Sequence, residues 1–238
     1  MRSRDFRGKF APLPGTQIEA EKIPEFIMGE EGLKTVVTGT HATEAAVREV
    51  KSPRILHLAT HGFFLNDVKI TSPENSRGMS IISLAKESPG KTYENPLVRS
   101  GLAFAGANHA GEVTEGDDGL LTALEISGMN LYGTYLVVLS ACETGVGDIK
   151  NGEGVFGLRR AFALAGAKNL MMSLWPVSDE ITANQMIAFY KNLQTRAPAD
   201  ALREAQLETI KDLRAKYGHA PVSLWAPFIL QGADAFGN

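Results

Sequence analysis

Cysteine is nearly absent from this 238-residue sequence, which contains a single thiol, at Cys142. One cysteine excludes an intramolecular disulfide framework and a cysteine-rich zinc site. This scarcity indicates a reducing compartment, so we expect a cytoplasmic protein. In that setting a lone thiol is either buried and inert or catalytic, and the residues around Cys142 must distinguish the two cases.

Long apolar runs and blocks of positive charge are also absent. No uninterrupted apolar run of about 18 residues occurs, which argues against a membrane span. The N-terminal residues lack the apolar stretch of a secretory signal. The formal net charge is −3 and no long basic block is present, so we expect neither a nucleic-acid nor a membrane partner. With 44% hydrophobic and 21% charged residues, the composition is that of a globular domain.

The hydrophobic pattern alternates between strands and helices. Short apolar runs predict buried strands at 54–60, 134–140, 169–174 and 227–230, with a further β-rich piece at 35–37. Helical spacing predicts helices at 18–28, 43–50, 120–129, 155–165, 178–193 and 198–217. Pro24 interrupts the first helix, Thr43 is the N-cap of the second, and Gly166 ends the fourth. This order is typical of a doubly wound, parallel α/β sheet.

Residues 66–119 interrupt this alternation. They are rich in Asn, Asp, Ser, Gly and Pro and contain one short apolar piece at 101–106. We therefore interpret 66–119 as a loop-rich insertion within a single domain, with one strand inside it. Loops of this length are usually functional or disordered.

His61 and Cys142 each follow a predicted strand by one or two residues. Functional groups of such sheets gather at the carboxyl ends of the strands, so the two residues should meet at one edge. There an imidazole can take the proton of a thiol, and the backbone N–H groups of Gly62 and Cys142 can stabilise an oxyanion. The spacing alone leaves a second interpretation open, a buried inert thiol beside a structural histidine. His57 lies inside a strand and is predicted to be a hydrogen-bonded core residue.

Other chemistries find less support in the sequence. No G-x-S-x-G elbow of a serine hydrolase and no G-x-x-x-x-G-K-[ST] nucleotide loop is present. A cysteine phosphatase needs an arginine six residues after its cysteine, where this chain has Asp148. No cluster with metal-ligand spacing stands out, so we expect no metal and no cofactor.

Several segments together resemble the CHAT family, a separase-related branch of the caspase-like cysteine peptidases. The strongest are HLATHG at 57–62, LSACETG at 139–145 and the stretch 152–179. Weaker similarities occur at 13–16, 42–46, 118–123 and 225–228. The match keeps its order from about residue 13 to residue 231 and therefore covers nearly the whole chain.

The resemblance implies a caspase-like three-layer sandwich, with a mostly parallel central sheet and helices on both faces. It also implies an endopeptidase dyad of Cys142 and His61, with an oxyanion hole formed by the amides of Gly62 and Cys142. The family domain usually begins further upstream, so we expect the single domain 1–238 to lack its most N-terminal part. The implied partners are a protein substrate and a regulatory tetratricopeptide-repeat or sensor module, often in bacterial signalling or defence.

The segment 173–179 predicts the substrate preference. It resembles the separase segment in which a tryptophan and an acidic residue line the pocket for arginine, so Trp175 and Asp179 are candidate substrate-binding residues. Glu143, beside the nucleophile, is a second candidate carboxylate. Carboxylates bind a guanidinium through two parallel hydrogen bonds, so we expect cleavage after Arg or Lys. Alternatively, Asp179 only occupies the first turn of the following helix and interacts with its dipole.

Two other functions remain open at this stage. The alternatives to the endopeptidase are an inactive binding module of the same fold and a thiol amidase or transpeptidase that acts on a small substrate. For the endopeptidase we expect gated activity, with 66–119 and 143–154 as the mobile segments beside the cleft.

Overall fold

Six strands form one mixed sheet within residues 9–27, 35–64, 96–113, 116–143 and 153–232, the parts of the chain that the computed structural model describes. The strands are β1 (Ile55–Phe64), β2 (Ser100–Ala103), β3 (Leu120–Thr122), β4 (Leu136–Glu143), β5 (Asn169–Ser173) and β6 (Phe228–Gly232). Their order is β3-β2-β1-β4-β5-β6. The central strands β1, β4 and β5 are parallel, whereas β2 is antiparallel to β1 and β6 is antiparallel to β5.

Helices cover both faces of this sheet. They are α1 (Pro14–Lys22), α2 (Glu44–Arg48), α3 (Ala123–Ser127), α4 (Glu153–Leu164), α5 (Asp179–Leu193), α6 (Pro198–Tyr217) and α7 (Val222–Trp225). Short 3-10 turns occur at Ile23–Glu25, Gly39–His41, Pro96–Val98 and Ala107–Glu112. None of the helices in the described ranges is long and apolar enough to cross a bilayer.

The alternation of side chains along the strands creates two cores. Leu56, Leu58, Val137 and Leu139 pack with residues of α3 and α4 on one face. Leu136, Val138 and Met171 pack with residues of α5 and α6 on the other face. This arrangement confirms the predicted three-layer α/β sandwich with helices on both faces, because successive strand residues point to opposite layers.

Local sequence signals fix several helix ends as predicted. The Thr43 hydroxyl accepts the backbone N–H of Ala46 at 3.2 Å and begins α2. Gly166, two residues after the end of α4, has φ +100°, the left-handed conformation that glycine adopts most readily.

Other predictions of local structure were wrong. The first helix begins at Pro14 rather than at residue 18, because proline suits the first helical position. Residues 120–129 contain a strand before their helix, since Leu120–Thr122 pairs with β2 and Thr122 then caps α3 in a capping box with Glu125. The β-rich piece at 35–37 adopts no regular structure.

The sheet is also less parallel than an ordinary doubly wound sheet. The predicted strand of the insertion forms β2, and it turns back on β1 in antiparallel register. Residues 66–95 of the insertion lie outside the described residues, so its boundaries stay a prediction.

Candidate active site

His61 and Cys142 lie side by side on the two central strands. In the parallel ladder of β1 and β4, His61 pairs with Cys142 and Gly62 pairs with Glu143. Both residues therefore lie within their strands, whereas the sequence placed them just beyond the strand ends. The reason is the insertion: Ser100–Ala103 of β2 pairs with β1 from His61 to Phe64 and extends that strand by four residues.

Hydroxyl side chains hold the two strands one residue before this pair. Thr60 donates its hydroxyl proton to the Ala103 carbonyl of β2. Ser173 of β5 donates to the Ala141 carbonyl at 2.7 Å. Because Thr60 and Ala141 are themselves paired in the ladder, the backbone next to His61 and Cys142 is fixed from both flanking strands.

The His61 ring is buried, with 7% of its surface exposed. Its Nε2 lies 2.7 Å from the Ala11 carbonyl oxygen, and the Phe10 ring lies 5.3 Å away between centroids. A carbonyl only accepts hydrogen bonds, so Nε2 carries the proton and Nδ1 of the neutral ring carries the lone pair. Among the described residues, Nδ1 has no hydrogen-bond partner although it is buried. This nitrogen is therefore a base without a proton donor in the described part of the chain.

A groove of about 610 Å³ reaches His61 from the side of α2. Residues 10–13, 56–61 and 103–109 contribute to its walls. The volume falls within the range of about 300–1,000 Å³ that is typical of ligand pockets.

Comparison with known proteins identifies the family of this fold. The family profile of the CHAT domain matches residues 2–233, nearly the whole chain. The chain belongs to the CHAT domain family. CHAT domains form a caspase-like peptidase family, in agreement with the resemblance found in the sequence.

Relatives of this CHAT domain include far longer proteins. The chain is 27% identical over 232 residues to Tetratricopeptide repeat protein 28 of Homo sapiens and 27% identical over 231 residues to the protein of the same name of Mus musculus. Each alignment covers 96% of this chain but only 9% of the relative.

The predicted substrate-binding residues of the CHAT domain lie at the end of β4 and after β5. Asp179 is the first residue of α5, and its Oδ2 accepts the backbone N–H of Gly15 at 2.6 Å. One oxygen of this carboxylate therefore anchors the start of α1. The indole N–H of Trp175 donates to the Ser223 carbonyl at 3.0 Å. Glu143 is the last residue of β4.

Sequence reasoning missed the contribution of the N-terminal segment to this site. Ala11 binds His61 through a backbone carbonyl, which leaves no signature in the side chains. Glu19 did leave a signal. Gly15, Glu19 and Ile23 follow one another at intervals of four residues, and all three are buried. A carboxylate between a glycine and an isoleucine on one helical face indicates a buried polar contact.

His57, which the sequence predicted to be a hydrogen-bonded residue of the strand, has two partners. Its Nε2 lies 2.9 Å from Glu19 Oε2, and its Nδ1 lies 3.0 Å from the Tyr190 hydroxyl. This prediction is confirmed. With both nitrogens engaged, His57 lacks the free lone pair that Nδ1 of His61 has.

Proposed function

We propose that this CHAT domain is a cysteine endopeptidase in which Cys142 is the nucleophile and His61 the general base. The observation that carries the proposal is the register of β1 and β4, which places a cysteine beside a buried histidine whose Nδ1 has a lone pair and no partner among the described residues. A buried nitrogen without a hydrogen bond is costly, and a thiol proton would satisfy it.

In each half of the proposed reaction, one proton moves to Nδ1 of His61 and is then given up again. Nδ1 of His61 takes the thiol proton of Cys142, and the thiolate forms a bond to the scissile carbonyl carbon. The oxyanion then collapses, the C–N bond breaks, and the imidazolium returns the proton to the leaving amine. Water then attacks the thioester carbon with His61 again as the base, the C–S bond breaks, the carboxylic acid product leaves, and the imidazolium returns the proton to the Cys142 thiolate. The Ala11 carbonyl supports this cycle, because it holds the Nε2 proton in place while Nδ1 gains and loses its own.

Backbone amides of Gly62 and Cys142 are the proposed donors to the oxyanion. The ladder of β1 and β4 continues through both residues, so these amides belong to its last rungs. A donor must point at the substrate to stabilise a transition-state charge, so this role requires the end of the ladder to open when a substrate binds.

A preference for Arg or Lys before the scissile bond remains part of the proposal. Asp179, Glu143 and Trp175 are the candidate residues for this pocket. Because Asp179 Oδ2 already accepts from Gly15, Asp179→Asn is a better test than Asp179→Ala. Asparagine retains an acceptor oxygen for the α1 amide and removes only the charge. Cleavage-site profiles of Asp179→Asn and Glu143→Gln should lose the basic preference, and an unchanged profile in both would contradict this assignment.

Mass spectrometry of a protein mixture tests the activity itself. Wild type should produce new internal peptide termini, whereas Cys142→Ala should produce none above background, because loss of one catalytic member removes several orders of magnitude in rate. His219→Ala, at an exposed histidine after α6, is the control and should cut like wild type. If Cys142→Ala retained half of the proteolysis, the dyad assignment would be wrong.

Mass spectrometry, combined with labelling by a thiol-reactive peptide mimic, separates the endopeptidase from its alternatives. An inactive binding module would produce no new termini and would not react irreversibly with a thiol-reactive peptide mimic at Cys142. A small-substrate amidase or transpeptidase would react with the mimic but leave intact proteins uncut.

The proposed setting is a cytoplasmic signalling or defence system of the kind the family implies. Two relatives are named as tetratricopeptide repeat proteins, and this chain matches only 9% of their length. We therefore propose that a tetratricopeptide-repeat or sensor module regulates the peptidase.

A further inference from the structure

Behind His61, on the same layer of the sandwich, lies a buried polar cluster that the proposed reaction does not use. Its centre is Glu19 of α1, with 2% of its surface exposed. Glu19 Oε1 accepts the Ser140 hydroxyl at 2.8 Å, and Oε2 lies 2.9 Å from His57 Nε2. The Tyr190 hydroxyl of α5 completes the cluster at 3.0 Å from His57 Nδ1. One carboxylate thus connects α1 to both central strands.

The cluster has the wrong connectivity for a second nucleophilic site. Ser140 donates to the carboxylate rather than to the imidazole, so no base is placed to activate its hydroxyl. Burial and the Glu19 charge raise the pKa of Tyr190 well above its usual range, so the phenol keeps its proton. Every side-chain group of the cluster therefore serves as a fixed hydrogen-bond partner.

Helix α1 depends on this carboxylate for its position. Only Gly15 and Glu19 of α1 are buried, and neither contributes a large apolar side chain. The apolar side chain of Ile18 is 43% exposed and therefore contributes little to the core. Ile23, directly after the last residue of α1, packs into the core with residues of α5 and α6 and anchors the end of the helix. Along α1 itself, the directional bonds of Glu19 and the Gly15–Asp179 contact determine how the helix lies on the strands.

The position of α1 in turn affects the environment of His61, to which Asn108 also contributes by binding the backbone N–H and the carbonyl of Phe10. Ala11 lies three residues before the first residue of α1, and its carbonyl is the partner of His61 Nε2. On the strands, Ser140 precedes Cys142 by two residues and His57 precedes His61 by four. Glu19 therefore binds both strands that carry the dyad and the helix that delivers the Ala11 carbonyl.

We propose that Glu19 is a positioning residue of the peptidase: it locks α1 onto β1 and β4 and thereby holds the Ala11 carbonyl on His61, which keeps the lone pair on Nδ1. A buried carboxylate is expensive compared with an apolar side chain of similar size. A leucine at this position could anchor the helix at lower cost. The bonds of Glu19 to two different strands also fix the position of α1 relative to β1 and β4. The activity part of this inference rests on the proposed function, but the part that concerns the tautomer of His61 does not.

The test compares Glu19→Gln with Glu21→Gln, a control on the exposed side of the same helix whose carboxylate contacts only Gln17 among the described residues. NMR of the imidazole nitrogens should show a single His61 tautomer, protonated at Nε2, in wild type and in Glu21→Gln. In Glu19→Gln we expect a mixture of tautomers and a shifted rising limb of the pH–rate profile. We also expect kcat to fall about ten- to hundredfold with little change in KM, since a small displacement of a catalytic group has this effect.

Ser140→Ala is the second variant, because it removes one partner of Glu19 and leaves the bond to His57. If Glu19→Gln does not fold, Ser140→Ala should still show the same changes on a smaller scale. Wild-type tautomer and wild-type pH profile in a folded Glu19→Gln, or in Ser140→Ala when Glu19→Gln does not fold, would overturn the proposal. If the wild-type chain cuts no protein either alone or with a candidate regulatory module, the proposed function fails, and the tautomer measurement still decides the role of Glu19.

Discussion

At the scale of single residues, hydrogen bonds distinguish two histidines on the same strand. His57 has partners at both ring nitrogens, whereas His61 has one partner, the Ala11 carbonyl, among the described residues. Because that partner only accepts, the second nitrogen of His61 is left as a base. The two imidazoles lie four residues apart on β1, yet their partners give His57 a structural environment and leave His61 with a nitrogen that can accept a proton.

His61→Ala should abolish proteolysis, while His57→Ala should mainly reduce stability. Removing His57 leaves Oε2 of Glu19 and the Tyr190 hydroxyl without the partner that each has in the structure, which typically costs about 1–3 kcal/mol for each unsatisfied group. Specific activity corrected for the folded fraction, together with urea denaturation, measures the two effects. In wild type the rate should rise with pH as the thiol–imidazole pair loses a proton. Equal corrected activities of the two variants would refute this division of roles.

Glu44 gives the fold a dependence on pH. It is 3% exposed at the start of α2. Burial, a hydrogen bond with Asp117 and the charges of Glu125 and Asp117 raise its pKa from 4.5 to about 8, against the opposing effect of Arg48. The folded state therefore binds a proton that the unfolded state releases above its ordinary pKa. Stability contributed by this site is fully present below pH 4.5 and is lost as the pH rises through about 8.

Glu44→Gln should remove this part of the pH dependence, because glutamine imitates the protonated carboxyl. Urea denaturation at intervals between pH 5 and pH 9 should show a slope of at most about 1.4 kcal/mol per pH unit in wild type that is reduced in Glu44→Gln. Glu25→Gln, at an exposed glutamate, should keep the wild-type slope. Parallel stability curves for wild type and Glu44→Gln would show that the carboxylate does not titrate in this range.

At the scale of secondary-structure elements, α1 is the least typical part of the fold. It packs against α5 and β1 through a glycine and a glutamate instead of an apolar stripe. A Cβ atom at Gly15 would lie 2.6 Å from both the backbone oxygen and Oδ1 of Asp179, so the close approach of the two helices requires glycine. Because the two helices approach so closely, the Gly15 amide can donate a hydrogen bond to the Asp179 carboxylate.

Gly15→Ala should push α1 away from α5 and cost about 1–3 kcal/mol, as overpacking usually does. Gly111→Ala is the matched control, since a Cβ atom at Gly111 meets open space and should change stability by less than about 0.5 kcal/mol. Urea denaturation measures both. If α1 carries the Ala11 carbonyl as the structure indicates, Gly15→Ala should also lower kcat. Equal stability of the two variants would show that α1 adjusts without strain.

At the scale of the whole molecule, the candidate active site is built from parts that are far apart in the chain. Strands β1 and β4 supply His61 and Cys142, the N-terminal segment supplies Ala11, and the insertion supplies β2. The ladder of β1 and β4 also includes the amides of Gly62 and Cys142. Their proposed use as oxyanion donors requires the last rungs of the ladder to open toward a substrate.

We therefore predict low basal activity in the isolated chain and stimulation by a tetratricopeptide-repeat or sensor module. Segments 66–119 and 143–154 are the predicted mobile parts, although residues 65–95, 114–115 and 144–152 lie outside the described residues. Proteolysis with and without a candidate module, together with hydrogen exchange at Gly62 and Cys142, would measure the effect. Full activity of the purified chain without any addition would contradict gating.

Local sequence signals were sufficient to predict the layers of the sandwich, the central strands and the two candidate catalytic residues. These features depend on local information: apolar runs predict β1, β4 and β5, while Thr43 and Gly166 mark helix ends through their own backbone preferences. Tertiary contacts were needed to define the strand ends, the strand at Leu120–Thr122 and the tautomer of His61. Each of these depends on a partner distant in the sequence: β2 for the first two, and the Ala11 carbonyl, positioned by α1, for the third. Such pairings leave no periodic signal, because a hydrogen bond to a backbone group is independent of the side chain that it carries.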